Sequence, residues 1–169
     1  MMACRYGNEA AVRLLIEAKA NIDSANERGV IALMCAASSH PRIVKLLIEA
    51  EADVNRANSS GYSALIIACM SVSEGCLATV KLLLAVHGID IDHVGNLGET
   101  ALSIAKAPKR RREGEVGYQL RLSLVPLLEE KMRQEAIDAE VAAAVKRIDA
   151  AANNNYEQNK KGVVNLMRL

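Results

Sequence analysis

The sequence contains very few aromatic side chains: its 169 residues include four Tyr and no Phe or Trp. Strand-rich chains usually carry many aromatic and β-branched residues, so this composition disfavours an all-β fold. The apolar residues, which make up 51% of the chain, are mostly Ala, Leu, Val and Ile. This apolar fraction is too high for intrinsic disorder, and Ala and Leu are good helix formers. The composition therefore predicts an all-α fold built from closely packed helices.

An excess of charge of one sign and a long apolar run are also missing. The 21 Lys and Arg residues balance 20 Asp and Glu residues, so the net charge is +1, which gives no general attraction to nucleic acid or to an anionic membrane. No apolar run reaches the roughly 20 residues that a membrane span requires. Residues 1–6 lack the charged start and apolar stretch of a signal peptide. We expect an intracellular protein with no nucleic-acid partner and no membrane insertion.

The four cysteines form no Cys-x-x-Cys pair and have no histidine nearby at metal-ligand spacing. In an intracellular protein they are expected to be reduced thiols. Cys4 and Cys69 are assigned to core packing, and Cys35 is expected to be at least partly buried. Cys76, which lies in an insertion, is expected to be the most exposed thiol.

An internal repeat is the strongest signal in the sequence. A shift of 32 residues aligns residues 26–33 with residues 58–65, and a shift of 37 carries residues 61–68 onto residues 98–105. A second apolar segment, Val-(Arg or Lys)-Leu-Leu, recurs at Val12, Val44 and Val80. Repeats of this length are typical of solenoids, because one helix pair cannot bury its own apolar face whereas stacked copies can.

Each copy of the repeat predicts a helix, a turn, a second helix and a hairpin-like loop. Ala-Leu-x-x-Ala places apolar residues on one face of a short helix, and Asp-Val-Asn followed by Gly is turn chemistry. Three leucines at the equivalent position of successive first helices are expected to be buried between repeats, namely Leu33, Leu65 and Leu102.

These residues resemble the ankyrin repeat. Ile31–Met34, Ser63–Ile66 and Thr100–Ser103 stand where that family has Thr-Pro-Leu-His, and Glu49–Asn55 resembles its helix-end turn. The resemblance covers about residues 1–131. It implies an all-α ankyrin solenoid whose four repeats span residues 1–25, 26–57, 58–94 and 95–131, followed by a helical cap and tail over residues 132–169.

The chain departs from the family pattern at several points. The first copy starts partway into its first helix, and the third carries extra residues around 73–76 between its helices. The fourth is interrupted at 108–114 and is expected to resume as a helix over 120–131, in which Pro126 occupies the first turn or introduces a kink. The family often has Gly just after the second helix. Lys19 and Glu51 stand there instead, which predicts a left-handed backbone at a non-glycine residue.

The C-terminal segment predicts one more helix. Over 133–152 the apolar residues are spaced 4, 3, 4 and 3 apart, at Ile137, Val141, Ala144, Ile148 and Ala151. This stripe predicts a helix of about five turns, ended by Asn153–Asn155. A helix that caps the last repeat is the simplest interpretation; a partner-binding or oligomerising helix and a free helix are the alternatives. The tail over 159–169 has no assigned structure.

No pattern in the sequence points to catalysis. The histidines belong to no His-Glu-x-x-His helix, and the chain has no Gly-x-Ser-x-Gly elbow and no phosphate-binding loop. His87 and His93 could hold a metal together with Asp90 and Asp92, but the repeat already explains both aspartates. We therefore expect no catalytic residue, no metal and no cofactor.

The family resemblance implies a non-catalytic scaffold that binds another protein, monomeric apart from that partner. The alternative is the targeting portion of a larger enzyme whose catalytic domain is absent here. In the family, hairpin tips and the exposed side of the first helices form a concave binding surface. The matching positions, which we call the tip surface, are Arg5, Tyr6, Glu27, Arg28, Val30, Ser38, Ser39, Ser59, Ser60, Tyr62, Met70, Ser71, Asn96, Leu97 and Glu99.

Two further features have competing interpretations. Asn55, with Leu47 and Asp53 before it, resembles the pattern at which ankyrin-repeat asparagines are hydroxylated, but an Asn there also stabilises a turn. The basic run Lys109–Arg112 is expected to be a solvated loop that pairs with Glu113 and Glu115. Its alternatives are a nuclear localisation signal, a contact with an acidic partner or direct binding to nucleic acid, so that a nuclear location is the alternative to a cytoplasmic one.

Overall fold

The computed structural model of the chain describes residues 1–71, 73–109 and 113–166, with backbone alone at residue 148 and over 151–166. Within these ranges every regular element is an α-helix, which confirms the all-α prediction. The helices are α1 (Met2–Arg5), α2 (Glu9–Glu17), α3 (Ala32–Ala37), α4 (Pro41–Glu49), α5 (Ala64–Met70), α6 (Cys76–Leu84), α7 (Ala101–Lys106), α8 (Glu115–Leu122) and α9 (Val125–Leu166).

The helices stack in two rows. The first helix of each pair contacts the first helix of the next, so that α1 packs on α3, α3 on α5 and α5 on α7. The second helices form a parallel row in which α2 packs on α4 and α4 on α6. Each helix also contacts its partner within the pair, and α7 contacts α8 in the same way. This arrangement is the helix-turn-helix solenoid that the repeat predicts.

The core lies between the stacked pairs. Leu33 and Leu65 are fully buried, as expected, and the repeated valines of α2, α4 and α6 are buried with them. Leu102, for which the same burial was expected, is only half-buried. The buried face of α7 is instead formed by Ala101, Ile104 and Ala105; α7 is the last helix of the first row, so it lacks the following first helix that α3 and α5 have.

The cysteines are packing residues. Cys4 and Cys69 are buried and Cys35 is half-buried, in line with the sequence-based expectation. The expectation for Cys76 is wrong: it is the first residue of α6 and is fully buried, because the inserted residues end at Gly75 and do not include it. Burial raises the pKa of the Cys76 thiol and raises that of Cys69 to about 12, which makes either thiolate a poor nucleophile at neutral pH.

The fourth pair differs from its prediction. Its second helix is α8, which begins after Gly114 and ends at Leu122, rather than a helix over 120–131. The chain turns at Ser123, and α9 starts at Val125 with Pro126 in its first turn, where a missing N–H group is tolerated. The expected helix over 120–131 is therefore the end of α8 and the start of α9, separated by a turn at Ser123 and Leu124. Leu124 in this turn and Leu128 in α9 are both buried, which fixes the turn against the core.

Helix α9 continues to Leu166, so Asn153–Asn155 do not end it. Asn is a weaker helix former than Ala by less than about 1 kcal/mol, so three in a row reduce helix stability without stopping the helix. Although α9 has 42 residues, no helix in the described ranges is both long and apolar enough to cross a membrane.

The chain divides into two units, Met1–Lys131 and Met132–Leu169. Within the second unit, Ile137 and Val141 of the predicted stripe are about half exposed, and Ala144 is exposed. The side chains of Ile148 and Ala151 lie outside the described residues. The capping role of this helix stays a prediction.

A buried ion pair fixes the connection between α7 and α8. Arg121 is fully buried, and its Nε and Nη2 atoms donate to Glu113 Oε1 and Oε2 at 2.9 and 2.7 Å. These hydrogen bonds to the Glu113 carboxylate are the main reason that the pKa of Arg121 is raised. Its Nη1 atom donates to the carbonyl oxygens of Ile104 and Ala107 at 2.6 and 2.8 Å, which caps the C-terminal end of α7.

Of the basic run, the structure describes Lys109 alone. Its Nζ atom lies 2.7 Å from Glu115 Oε2, as expected. The Glu113 carboxylate, which is buried just before α8, also forms an ion pair with Arg121. Residues 110–112 lie outside the described residues.

Two left-handed residues follow the second helices of the first and second pairs. The backbone angle φ is +55° at Lys19 and +63° at Glu51, as their place in the repeat predicts. A side chain in this conformation is strained by roughly 1 kcal/mol relative to Gly.

Replacing Glu51 with Gly should relieve this strain and raise the free energy of unfolding by up to about 1 kcal/mol, reduced by the greater entropy of the unfolded chain. The midpoint and slope of urea unfolding measure the effect. Ala50→Gly is the matched control, because Ala50 has φ of −91°, and it should lower the midpoint. A clear fall for Glu51→Gly at an unchanged slope would contradict the strain.

Replacing Arg121 with Met should lower the free energy of unfolding by about 3–5 kcal/mol, because a buried carboxylate loses its guanidinium partner. The double change Arg121→Met and Glu113→Leu should be less destabilising than the single change, since it removes both charges. Urea unfolding of the two variants compares them directly. Equal losses would show that the ion pair itself is not what stabilises the α7–α8 connection.

Candidate protein-interaction surface

A repeated asparagine shapes the first two hairpin tips. The backbone N–H of Gly29 donates to Asn26 O at 2.9 Å, and Asn26 N–H donates to Val30 O at 3.1 Å. The Asn26 side-chain oxygen closes the tip by accepting from the N–H groups of Arg28 and Val30, both at 3.0 Å. Asn58 makes the same four contacts with the next tip. The shared Asn at these two positions was visible in the sequence, but its role as a tip cap was not recognised there.

The tips are hydrogen-bonded to one another in series. Ser59 N–H donates to Arg28 O at 2.9 Å, and Asn96 N–H donates to Ser60 O at 3.1 Å. The side-chain amide of Asn96 also donates to Ser59 O at 2.9 Å. These bonds join the three tips into one continuous edge, so tip residues that are far apart in sequence are held at fixed positions relative to one another.

Tyr62, a residue of the tip surface, braces two neighbouring hairpins. Its ring lies against Gly95, where an added Cβ would approach the ring Cε1 atom to 2.9 Å. Its hydroxyl donates to Glu99 Oε1 at 3.1 Å, while Glu99 Oε2 is buried and has no hydrogen-bond partner among the residues that the structure describes. Both residues are half-buried. Tyr62 and Glu99 therefore act in the fold itself, whatever else they contact.

Serines at the ends of the first helices are also bonded to one another. The Ser71 hydroxyl donates to Ser38 O at 2.6 Å, and the Ser73 hydroxyl donates to the same oxygen. Ser38, Ser71 and Met70 are half-buried, whereas Ser39 is exposed. Some hydrogen-bonding groups of these serines are therefore already used within the protein, so fewer remain for a partner.

The most accessible apolar groups of the tip surface are Tyr6 and Leu97, whose residues are 74% and 82% exposed. Tyr6 follows α1, and Leu97 is at the third hairpin tip. The other exposed members are polar or charged: Arg5, Glu27, Arg28, Ser39, Ser59, Ser60 and Asn96. An open groove of about 650 Å³ runs between α1 and the first tip, lined by Arg5, Arg28, half-buried Val30 and Cys35 among others.

Asn55 connects the loops that follow two successive second helices. Its side-chain oxygen accepts from Asp90 N–H at 2.8 Å, and its side-chain amide donates to Gly88 O at 2.7 Å. One repeat earlier, the Asp23 carboxylate accepts from Asp53 N–H at 3.1 Å. The two side-chain hydrogen bonds of Asn55 are consistent with the turn-stabilising role that the sequence suggested for it. Its hydroxylation stays a prediction.

The histidine that the sequence singled out with Asp90 has a structural role. His93 Nε2 donates to Gly61 O at 2.9 Å, and its Nδ1 atom lies 3.3 Å from Asp90 Oδ2. Among the residues that the structure describes, no three His, Cys, Asp or Glu side chains are grouped so that they could hold a metal ion.

A family model described as ankyrin repeats, in three copies, matches residues 1–95, which is more than half of the chain. In the search of curated proteins, none matches this chain. The matched region contains the first three helix pairs and reaches the start of the third tip.

Changing Tyr62 to Phe should lower the free energy of unfolding by about 1 kcal/mol, because Glu99 loses the hydroxyl donor while the ring is kept. Tyr6→Phe is the matched control: its ring is exposed, so the same chemical change should leave the urea midpoint unaltered. If the two variants unfolded at the same midpoint as the unmodified chain, the Tyr62–Glu99 contact would not contribute to stability.

Proposed function

Because the chain belongs to the ankyrin-repeat family, we propose that it is a non-catalytic scaffold that binds a partner protein along the tip surface. Ankyrin repeats are generally protein–protein interaction modules, and such domains are typically non-catalytic. The observation that supports the proposal for this chain is the series of hydrogen bonds in which Ser59 N–H donates to Arg28 O and Asn96 N–H donates to Ser60 O. A rigid, continuous edge reduces the entropy that is lost when a partner binds.

The exposed chemistry favours a partner with mixed polar and apolar contacts. Tyr6 and Leu97 offer large apolar surfaces near the two ends of the edge, and the serines and Asn96 between them offer hydrogen bonds. Tyr is enriched among the interface residues that carry most of the binding energy. Tyr62, Glu99 and Ser71 contribute mainly by holding their neighbours in place, since their side chains are bonded within the array.

We further propose that the protein is intracellular and works in the cytoplasm. All four cysteines are free thiols, which is usual for intracellular proteins. A nuclear location through Lys109–Arg112 is the alternative, and three of those four residues lie outside the described residues.

The double change Tyr6→Ser and Leu97→Ser should weaken partner binding by at least about 2 kcal/mol while the urea midpoint barely moves, because both side chains are exposed. The partner is first recovered by affinity purification with the unmodified chain and identified by mass spectrometry. Titration calorimetry with the purified partner then measures the affinity of each variant.

Lys45→Glu is the matched control on the second-helix row. Lys45 is exposed and forms only a surface ion pair, at 3.7 Å from Glu49, and such remote charges contribute little to binding. If Lys45→Glu abolished binding and the Tyr6 and Leu97 changes did not, the tip surface would be the wrong site.

A further inference from the structure

The middle of helix α9 exposes its side chains all the way round. Every residue over 136–147 is exposed, and these residues include Ile137, Val141 and Val145, which are about half exposed. A helix in a protein gains most of its stability by packing an apolar face against another element. We therefore expect another element to cover this stretch of α9.

The apolar stripe on this stretch fits a second helix. At 100° per residue, Ile137, Val141 and Ala144 lie within an arc of about 60° on α9. A stripe this narrow, with spacings of four and three residues, is the seam of a two-helix coiled coil. Three consecutive alanines, at 142–144, let a second helix approach to the roughly 8–10 Å at which helices pack.

Two charged residues lie beside the stripe without a partner on their own helix. Glu140 and Arg147 are about two turns apart and on the same side of the stripe. The residues three and four positions from either one are all Ala or Ile, so neither has an opposite charge at the spacing that pairs charges within a helix. No ion pair in the described part of the chain includes Glu140 or Arg147.

This arrangement is complementary to itself when it is reversed. If a second copy of α9 lies antiparallel across the stripe with its Ala144 opposite Val141, its Val141 is opposite Ala144 of the first copy. Glu140 of each copy then faces Arg147 of the other, and charges that flank a seam set the orientation of a coiled coil. A larger residue meets a smaller one at both central contacts. A parallel pair would instead bring Glu140 opposite the uncharged Val145 and leave both charges unpaired.

We propose that α9 binds α9 of a second copy of this chain, antiparallel and about a twofold axis near Ala143. A twofold interface requires a surface to be complementary to itself, and the order Glu140, Val141, Ala144, Arg147 meets that requirement for both apolar contacts and both ion pairs. Helix α9 runs from Val125 to Leu166, so the axis lies near its middle and helix continues on both sides of it.

The dimer replaces the expectation of a monomer and takes up the oligomerising alternative for this helix. It uses no residue of the tip surface, which lies on α1, the hairpins and the first helices. The proposed function and the dimer are therefore independent of one another.

Sedimentation velocity of the full chain tests the dimer. The unmodified protein should shift from 18.2 kDa towards twice that mass as its concentration rises. Glu140→Arg or Arg147→Glu alone should raise the dissociation constant about tenfold, because both ion pairs become pairs of like charge. Lys146→Glu is the matched control: it makes the same change of charge on the opposite side of α9 and should leave the dimer intact.

Mixing the two charge variants provides the sharpest test of the antiparallel arrangement. A chain with Arg at both positions and a chain with Glu at both positions form two opposite-charge pairs only with each other. An equimolar mixture of Glu140→Arg and Arg147→Glu should therefore dimerise at concentrations at which each variant alone is monomeric.

Val141→Asp tests the apolar contact separately from the charges. It should raise the dissociation constant at least about 100-fold, because it would bury an unpaired carboxylate in the interface. Val141 is 56% exposed in the single chain, so the urea midpoint of the array should not move and loss of the dimer would not reflect a folding defect.

Three results would overturn the proposal: a chain that is monomeric at every concentration, charge variants that dimerise as Lys146→Glu does, or a mixture in which dimers do not return. The Tyr6→Ser and Leu97→Ser double variant, which tests the tip surface, should dimerise like the unmodified chain. Failure of partner binding and failure of the dimer are thus measured in different variants.

Discussion

Stacking is the interaction on which the rest of this structure depends. No helix pair in the array encloses its own apolar side chains, so each is buried only where a neighbouring pair lies against it. One leucine of the repeat shows this, since Leu15 of α2 is 48% exposed while its counterparts Leu47 of α4 and Leu83 of α6 are fully buried. Burial here is a property of position in the stack more than of the residue itself.

The stacking of the helices also positions the hairpin tips, which are then joined to one another by hydrogen bonds. Once the helices fix the spacing between repeats, backbone groups of successive tips come within hydrogen-bonding distance, as Arg28 and Ser59 do. Side chains then satisfy what the backbone leaves open: Asn26 and Asn58 complete their own tips, and Asn55 bridges to the next loop. Such local side-chain bonds make tight turns possible without a strand ladder.

The sequence predicts those structural features that equivalent positions share in successive copies of the repeat. Burial of Leu33 and Leu65 and the left-handed backbone at Lys19 and Glu51 could be foreseen, because equivalent positions in stacked copies have equivalent surroundings. Burial of Cys76 and the Glu113–Arg121 pair could not, because Cys76 directly follows inserted residues and the pair lies at the interruption of the fourth copy, so no other copy provides a comparison.

For the tip surface, the sequence predicted which positions lie on it but not how strongly each is used within the fold. Tyr62 illustrates the difference, since its bond to Glu99 joins residues 37 apart. Neither composition nor periodicity can reveal a contact of that kind between two loops, because it depends on the distance between repeats.

The scarcity of aromatic residues gives the molecule an unusual spectroscopic property. With no Trp, its near-ultraviolet absorbance and intrinsic emission arise from tyrosine alone. Three of the four phenols occupy distinct surroundings: Tyr6 is in solvent, Tyr62 is hydrogen-bonded to a carboxylate, and Tyr118 lies 5.3 Å from the Arg121 guanidinium. Hydrogen bonding to a carboxylate quenches phenol emission, so loss of the Tyr62–Glu99 hydrogen bond would increase the emission of Tyr62. The chain therefore carries its own optical label at the junction of its third and fourth repeats.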